Sequence, residues 1–213
     1  MTEKHLVWDW NGTLLDDLSL VVASTNQAFA TVGGRAVEAD EHRRAFRRPV
    51  AEFYAEMLGR AVDEEEFGRL DRIFHDAYRV GLTDISLAAD AMAAIKTWPG
   101  SQSLLSMWFH SELIPAVEGY GLAGLFSRID GLRTEVGGDL KAGHLARHLA
   151  GLGVAGETVV LIGDSLDDAA AAEAVGGKAV LYTGGFTDPS RLRASGLPVA
   201  DTLVDAVKTA MSL

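Results

Sequence analysis

Asp9 closes a short apolar run, Leu6-Val7-Trp8, and is followed by Trp10-Asn11-Gly12-Thr13-Leu14-Leu15-Asp16-Asp17. A carboxylate at the end of a buried strand, beside loop N–H groups such as that of Gly12 that can receive an anion, is a candidate nucleophile or metal ligand. A second apolar run, Val159-Val160-Leu161-Ile162-Gly163, carries Asp164 just beyond it and Asp168 four residues later. That spacing returns both carboxylates to one helical face. Taken singly, each has a plainer reading. Asp9 could cap the turn after its strand, and Asp164 and Asp168 could be acids gathered at a helix N-terminus by its dipole.

Asp9-Trp10-Asn11-Gly12-Thr13-Leu14 resembles the first motif, D-x-D-G-T-L, of the haloacid dehalogenase-like (HAD) superfamily. Three further family motifs follow in order. Leu104-Leu105-Ser106 is similar to the second, Lys141 after Gly137 and Gly138 to the third, and Gly163-Asp164-Ser165-Leu166-Asp167-Asp168 to the fourth. The match spans about residues 5 to 185. It implies a Rossmann-like α/β hydrolase core with a helical cap inserted after the first strand, in the phosphoglycolate phosphatase-like branch. It also implies magnesium-dependent hydrolysis of a small phosphorylated metabolite through an aspartyl-phosphate on Asp9.

The other roles come with the same resemblance. Magnesium would take oxygen from Asp9, Asp164 and the main-chain carbonyl of Asn11, with Asp168 a direct or water-mediated ligand, and Asp167 is expected to point elsewhere. Ser106 would hold a phosphoryl oxygen, helped by loop N–H groups near Gly12 and Met107. Lys141 would bind phosphate and offset developing oxyanion charge, although the proline that follows the family lysine is replaced by Ala142. Arg48, in Arg47-Arg48-Pro49, resembles the substrate-specificity loop of the cap, where an arginine fork suits an anion. Without the resemblance, Ser106 is a strand end or helix cap, Lys141 a surface charge, and the two arginines partners of Glu52 and Glu56.

Asn11 departs from the family. The aspartate usual there protonates the leaving oxygen and then activates water, work worth ~10²–10⁴-fold in rate. An amide lends no proton, so the chain is a slow phosphatase, one restricted to good leaving groups such as acyl phosphates, or a catalytically weak or inactive phosphate-ligand-binding protein. On this reading Asn11→Asp raises turnover of poor leaving groups. The stretch from Asp16 to Ser86 has no lysine, which disfavours phosphonatase chemistry through a Schiff base. Dehalogenase and mutase readings fit the acid pattern and Asn11 less well.

Positioning these residues requires strands at about 4–9, 102–107, 157–163 and 178–182, with a weaker one at 127–132. Helix-like periods cover 16–32, 87–98, 111–121, 140–151, 167–175 and 200–212. Such alternation predicts a parallel sheet covered on both faces. Residues 17–86 break the rhythm with helical patterns at 38–46, 50–59 and 63–80. The predicted organisation is a core of residues 1–15 and 87–213 with a cap of 16–86, hinged near 15–18 and 81–86. His144 and His148 read as a helix-surface pair, His110 as a candidate for the mouth, and the tryptophans as core or mouth packing, with Trp10 directed toward the cap.

The chain has 213 residues, 48% of them hydrophobic and 23% charged, ordinary for a globular protein. A net charge of −11 disfavours nucleic-acid binding through phosphates. No apolar stretch suits a membrane span or an export signal, and there is no cysteine. A cytoplasmic monomer or homodimer is the expectation.

Overall fold

The computed structural model describes residues 4–133 and 140–213. Gly137 and Gly138 lie outside them. Six strands form one parallel sheet: β1 (His5–Trp8), β2 (Gln102–Phe109), β3 (Ile129–Leu132), β4 (Val159–Gly163), β5 (Lys178–Tyr182) and β6 (Val199–Ala200). Their order is β3-β2-β1-β4-β5-β6, so the winding reverses between β1 and β4. Ligand crevices in open α/β sheets lie outside the carboxyl ends of the strands at that reversal.

Side chains alternate across the pleat, which divides the core in two. Leu6, Trp8, Leu104 and Ile162 face α5 (Ala91–Thr97), α6 (His110–Gly119) and α10 (Leu203–Ser212). Val7, Leu105 and Leu161 face α7 (Ala142–Leu152), α8 (Leu166–Ala174) and α9 (Pro189–Ala194). The predicted strands and core helices are all present. α9 and the two-residue β6 are additions, and both are too short to produce a period in the sequence.

Four helices stand between β1 and α5: α1 (Leu18–Ala30), α2 (Ala39–Ala45), α3 (Val50–Leu58) and α4 (Glu64–Gly81). α4 starts where the sequence allows it, with the Asp63 side chain accepting from the Glu66 N–H at 2.8 Å and three glutamates in its first turn. The chain leaves and re-enters the sheet layer along paired segments. Asp16 N–H donates to Ser86 O (3.0 Å), and Ala88 N–H donates to Leu14 O (2.9 Å). No helix among the described residues is long and apolar enough to cross a membrane.

Candidate active site

Asp9 follows β1 and extends its ladder, its N–H donating to Ile162 O at 2.9 Å. Asp164 follows the neighbouring β4. Asp168 lies in the first turn of α8, where it forms a capping box with Ser165: its Oδ2 accepts from the Ser165 N–H (3.0 Å) and hydroxyl (2.6 Å). Oxygens of Asp9, Asp164 and Asp168 lie within 4.8 Å of one another, all buried. Two segments more than 150 residues apart thus place three carboxylates at the sheet's switch point.

Lys141, immediately before α7 and only 2% exposed, enters this cluster. Its Nζ donates to Asp9 Oδ1 at 2.5 Å and to Asp168 Oδ1. Burial alone would lower the lysine's pKa, but Asp168 and Asp9 outweigh it and push it above the usual range. Burial raises Asp9 to about 6, with Lys141 opposing and Asp168 adding to the shift. Asp164 is raised well above the carboxylate range by burial and by the charges of Asp9 and Asp168. Three buried carboxylates share one buried ammonium, so the cluster holds more negative charge than the chain itself neutralises. An oxygen-only donor set with that surplus suits a hard divalent cation.

Gly12 explains how the loop packs here. With φ +71° it adopts a conformation open to glycine, and a Cβ there would come within 2.6 Å of Asp164 Oδ2. Its N–H donates to Asp17 Oδ1 at 2.7 Å, so this amide is spent inside the protein and does not face a ligand. Ser106 is likewise committed. It is fully buried, its hydroxyl donating to Asn11 Oδ1 at 3.1 Å and accepting from the Trp108 N–H at 3.0 Å. Met107 lines the pocket beside Asp9, Lys141 and Asp164.

The Asn11 amide is held at both ends. Its Nδ2 donates to Asp17 Oδ2 and to the Tyr78 hydroxyl, each at 2.9 Å, and Tyr78 donates to Asp17 Oδ2 at 2.7 Å. Asp17 is fully buried. Burial raises its pKa to about 6, and hydrogen bonds from Asn11, Tyr78 and Gly12 limit the shift. Neither Asp17 nor Tyr78 was marked by the sequence. Asp17 is one of two adjacent aspartates, and only the fold shows that Asp16 is exposed while Asp17 is buried. Tyr78 sits on α4, 67 residues from its partner.

Other expectations need correction. Asp167 faces the site: its Oδ2 accepts the Lys141 N–H at 3.0 Å, answering an orphan donor at the start of α7, and lies 3.9 Å from Arg48 Nε. Arg48 lines the pocket, whereas Arg47 bonds Glu56 and Glu52 at the surface. His148 is no surface residue. Buried, it bonds Asp130 and Ser103, each at 2.8 Å, while His144 is bonded by Arg147. His110 accepts the Gly131 N–H at 3.2 Å and stays out of the pocket. Trp10 packs in the core against Tyr120.

Residues 136–208 match the HAD-hydrolase-like family model. No curated protein sequence matches the chain significantly. Among solved structures it is similar to a predicted phosphatase from Clostridium acetobutylicum (TM-score 0.87, 16% identity, 100% of both chains). It is similar also to a predicted phosphoglycolate phosphatase from Haemophilus somnus (0.74, 19%, 99% of both). A haloacid dehalogenase-like family hydrolase from Streptococcus pneumoniae gives 0.78 at 17%, over 98% of this chain and 99% of that one. By the family match over residues 136–208 and by the fold of the whole chain, the protein is similar to haloacid dehalogenase-like hydrolases.

Proposed function

We propose that the chain is a magnesium-dependent phosphatase acting on a small phosphorylated metabolite, with Asp9 as nucleophile. The observation that carries this reading is the triad of buried carboxylates around Lys141, placed at the reversal point of the sheet. Asp9 and Asp164, with the main-chain carbonyl of Asn11, would hold magnesium. Asp168, whose oxygens accept from Lys141 and Ser165, would be a direct or water-mediated ligand. When bound, the ion supplies positive charge against the phosphoryl oxygens.

The remaining steps belong to the chain. An Asp9 oxygen attacks phosphorus, the bond to the alcohol oxygen breaks, and water then hydrolyses the aspartyl-phosphate. Lys141 keeps the Asp9 carboxylate ionised and carries positive charge at the phosphoryl group. Arg48 stands at the pocket wall, where a forked donor can meet an anionic oxygen. Residues 16–86 cover the mouth as a cap and exclude water. With Asn11 in place of an acid, turnover is slow or restricted to good leaving groups.

The locked Asn11 amide also favours a second reading, a phosphate-ligand-binding protein with little or no turnover. Phosphate release from p-nitrophenyl phosphate and acetyl phosphate, with and without magnesium, separates the two. Magnesium-dependent release that falls at least ~10³-fold in Asp9→Ala supports the enzyme. Binding without release on either compound supports the binder.

A further inference from the structure

The carboxylate pocket does not end at Asn11. Five of its wall residues, Asn11, Phe46, Arg48, Met107 and Phe186, also line a second cavity beneath α1–α4. Its cavity volume is about 90 Å³, and it opens to solvent. Rings dominate its wall: Phe53, Tyr54, Phe74, Trp108, and Phe46 with the imidazole of His42 stacked on it at 5.2 Å.

Polar groups on this wall narrow what it can receive. The Nδ1 atoms of His42 and His75 and the indole Nε1 of Trp108 are buried and find no hydrogen-bond partner among the described residues. His42 is 1% exposed, and burial pushes its pKa down to about 4, so its ring is neutral and offers one N–H and one lone pair. The indole can only donate. Buried Asp71, with an oxygen 3.5 Å from His75 Nε2, is an acceptor on the same wall. A buried polar group without a partner is costly, and an occupant that bonds the His42, His75 and Trp108 nitrogens removes the cost.

Three leaving-group chemistries can be weighed against this wall. A short hydroxy acid could set its carboxylate against Arg48 but would leave the rings and the indole N–H uncovered. A quaternary ammonium would satisfy the rings through cation–π contact, but it offers nothing to the indole N–H. A flat nitrogen heterocycle covers the rings by stacking or edge contact and carries acceptors and donors on its edge. We infer that the cavity holds the substrate's alcohol portion and that this portion bears a flat nitrogen heterocycle with both a hydrogen-bond acceptor and a donor. This rests on the phosphatase reading only for hydrolysis; ring binding does not require it.

The test compares cytidine 5′-monophosphate and pyridoxamine 5′-phosphate with phenyl phosphate, which has a ring without edge groups, and with phosphoglycolate, which has no ring. Turnover is measured on the wild-type protein with magnesium, and binding by calorimetry on Asp9→Asn. At least one heterocyclic ester is expected to bind Asp9→Asn tenfold or more tighter than both comparison compounds, a comparison in which the leaving group plays no part. Trp108→Phe, which keeps the apolar wall and removes one donor, is expected to reduce the heterocycle-to-phenyl ratio about tenfold. Binding of phosphoglycolate or phenyl phosphate as tight as that of the heterocyclic esters, with magnesium-dependent turnover of any of the four, overturns the inference and leaves the phosphatase standing. Tighter heterocycle binding with no turnover of any compound keeps the inference and removes the phosphatase. Equal binding of all four with no turnover removes both.

Discussion

Asn11 and Asp17 act as a pair. The amide donates to the carboxylate at 2.9 Å, and the carboxylate also takes the Gly12 N–H and the Tyr78 hydroxyl. A carboxylate at position 11 would lose both amide donors and face the fully buried Asp17. Two carboxylates this close, one of them buried, resist ionising together. Asn11→Asp alone is therefore expected to cost about 1–3 kcal/mol in urea unfolding and to give little of the gain in turnover that the sequence suggests. Asn11→Asp combined with Asp17→Asn exchanges amide and acid across the same bond. That variant should recover stability and speed hydrolysis of poor leaving groups by ~10²-fold or more. A stable double variant no faster than wild type would show that the missing acid is not what limits the rate.

At the scale of elements, α2 matters because it carries His42 and leads into Arg48. A helix of seven residues leaves most of its carbonyls without intrahelical partners. Arg191, on α9 of the core, supplies donors to the Arg44 and Phe46 carbonyls at 2.8 and 2.9 Å, and the Asp188 N–H reaches the Arg43 carbonyl at 3.0 Å. A guanidinium at a helix C-terminus also meets the favourable end of its dipole. On the opposite side, Arg79 of α4 bonds Glu112 of α6 at 2.7 Å. Removing the first tie with Arg191→Met is expected to cost about 1–3 kcal/mol and to speed amide hydrogen exchange across residues 39–46. Exchange there unchanged from wild type would mean that α2 is held by its aromatic packing alone.

For the whole molecule, the carboxylate cluster is a liability that a cation relieves. Lys141 bonds Asp9 and Asp168, leaving Asp164 with the Phe186 N–H and a distant Thr13 hydroxyl. In the metal-free protein Asp164→Asn is therefore expected to raise the unfolding midpoint, because it removes an acid whose ionised form is disfavoured by burial beside Asp9 and Asp168. In wild type, magnesium at a hundredfold excess over its Kd should add about 2.7 kcal/mol to stability. Asp164→Asn should lose most of that increment. Thermal unfolding of both proteins, in chelator and in magnesium, reads the two effects. A wild type indifferent to magnesium would remove the metal site from the proposed function.

The sequence by itself determined the parallel sheet, its strand-end aspartates and the helical insertion, because each leaves a local trace. Apolar runs of four to eight residues mark buried strands, and acids or glycines just beyond them mark the turns where chemistry can sit. Asp63 before three glutamates announces the start of α4 in the same way. The tertiary structure decided what depends on neighbours distant in the chain. It buried Asp17 rather than Asp16, sent Arg48 inward and Arg47 to the surface, and turned Asp167 toward the site. It also drew His148 into a buried network and committed Ser106 and the Gly12 amide to internal bonds. A hydrogen bond between residues 67 or 95 positions apart leaves no period and no motif. It exists only once packing has brought the two ends within 3 Å or so.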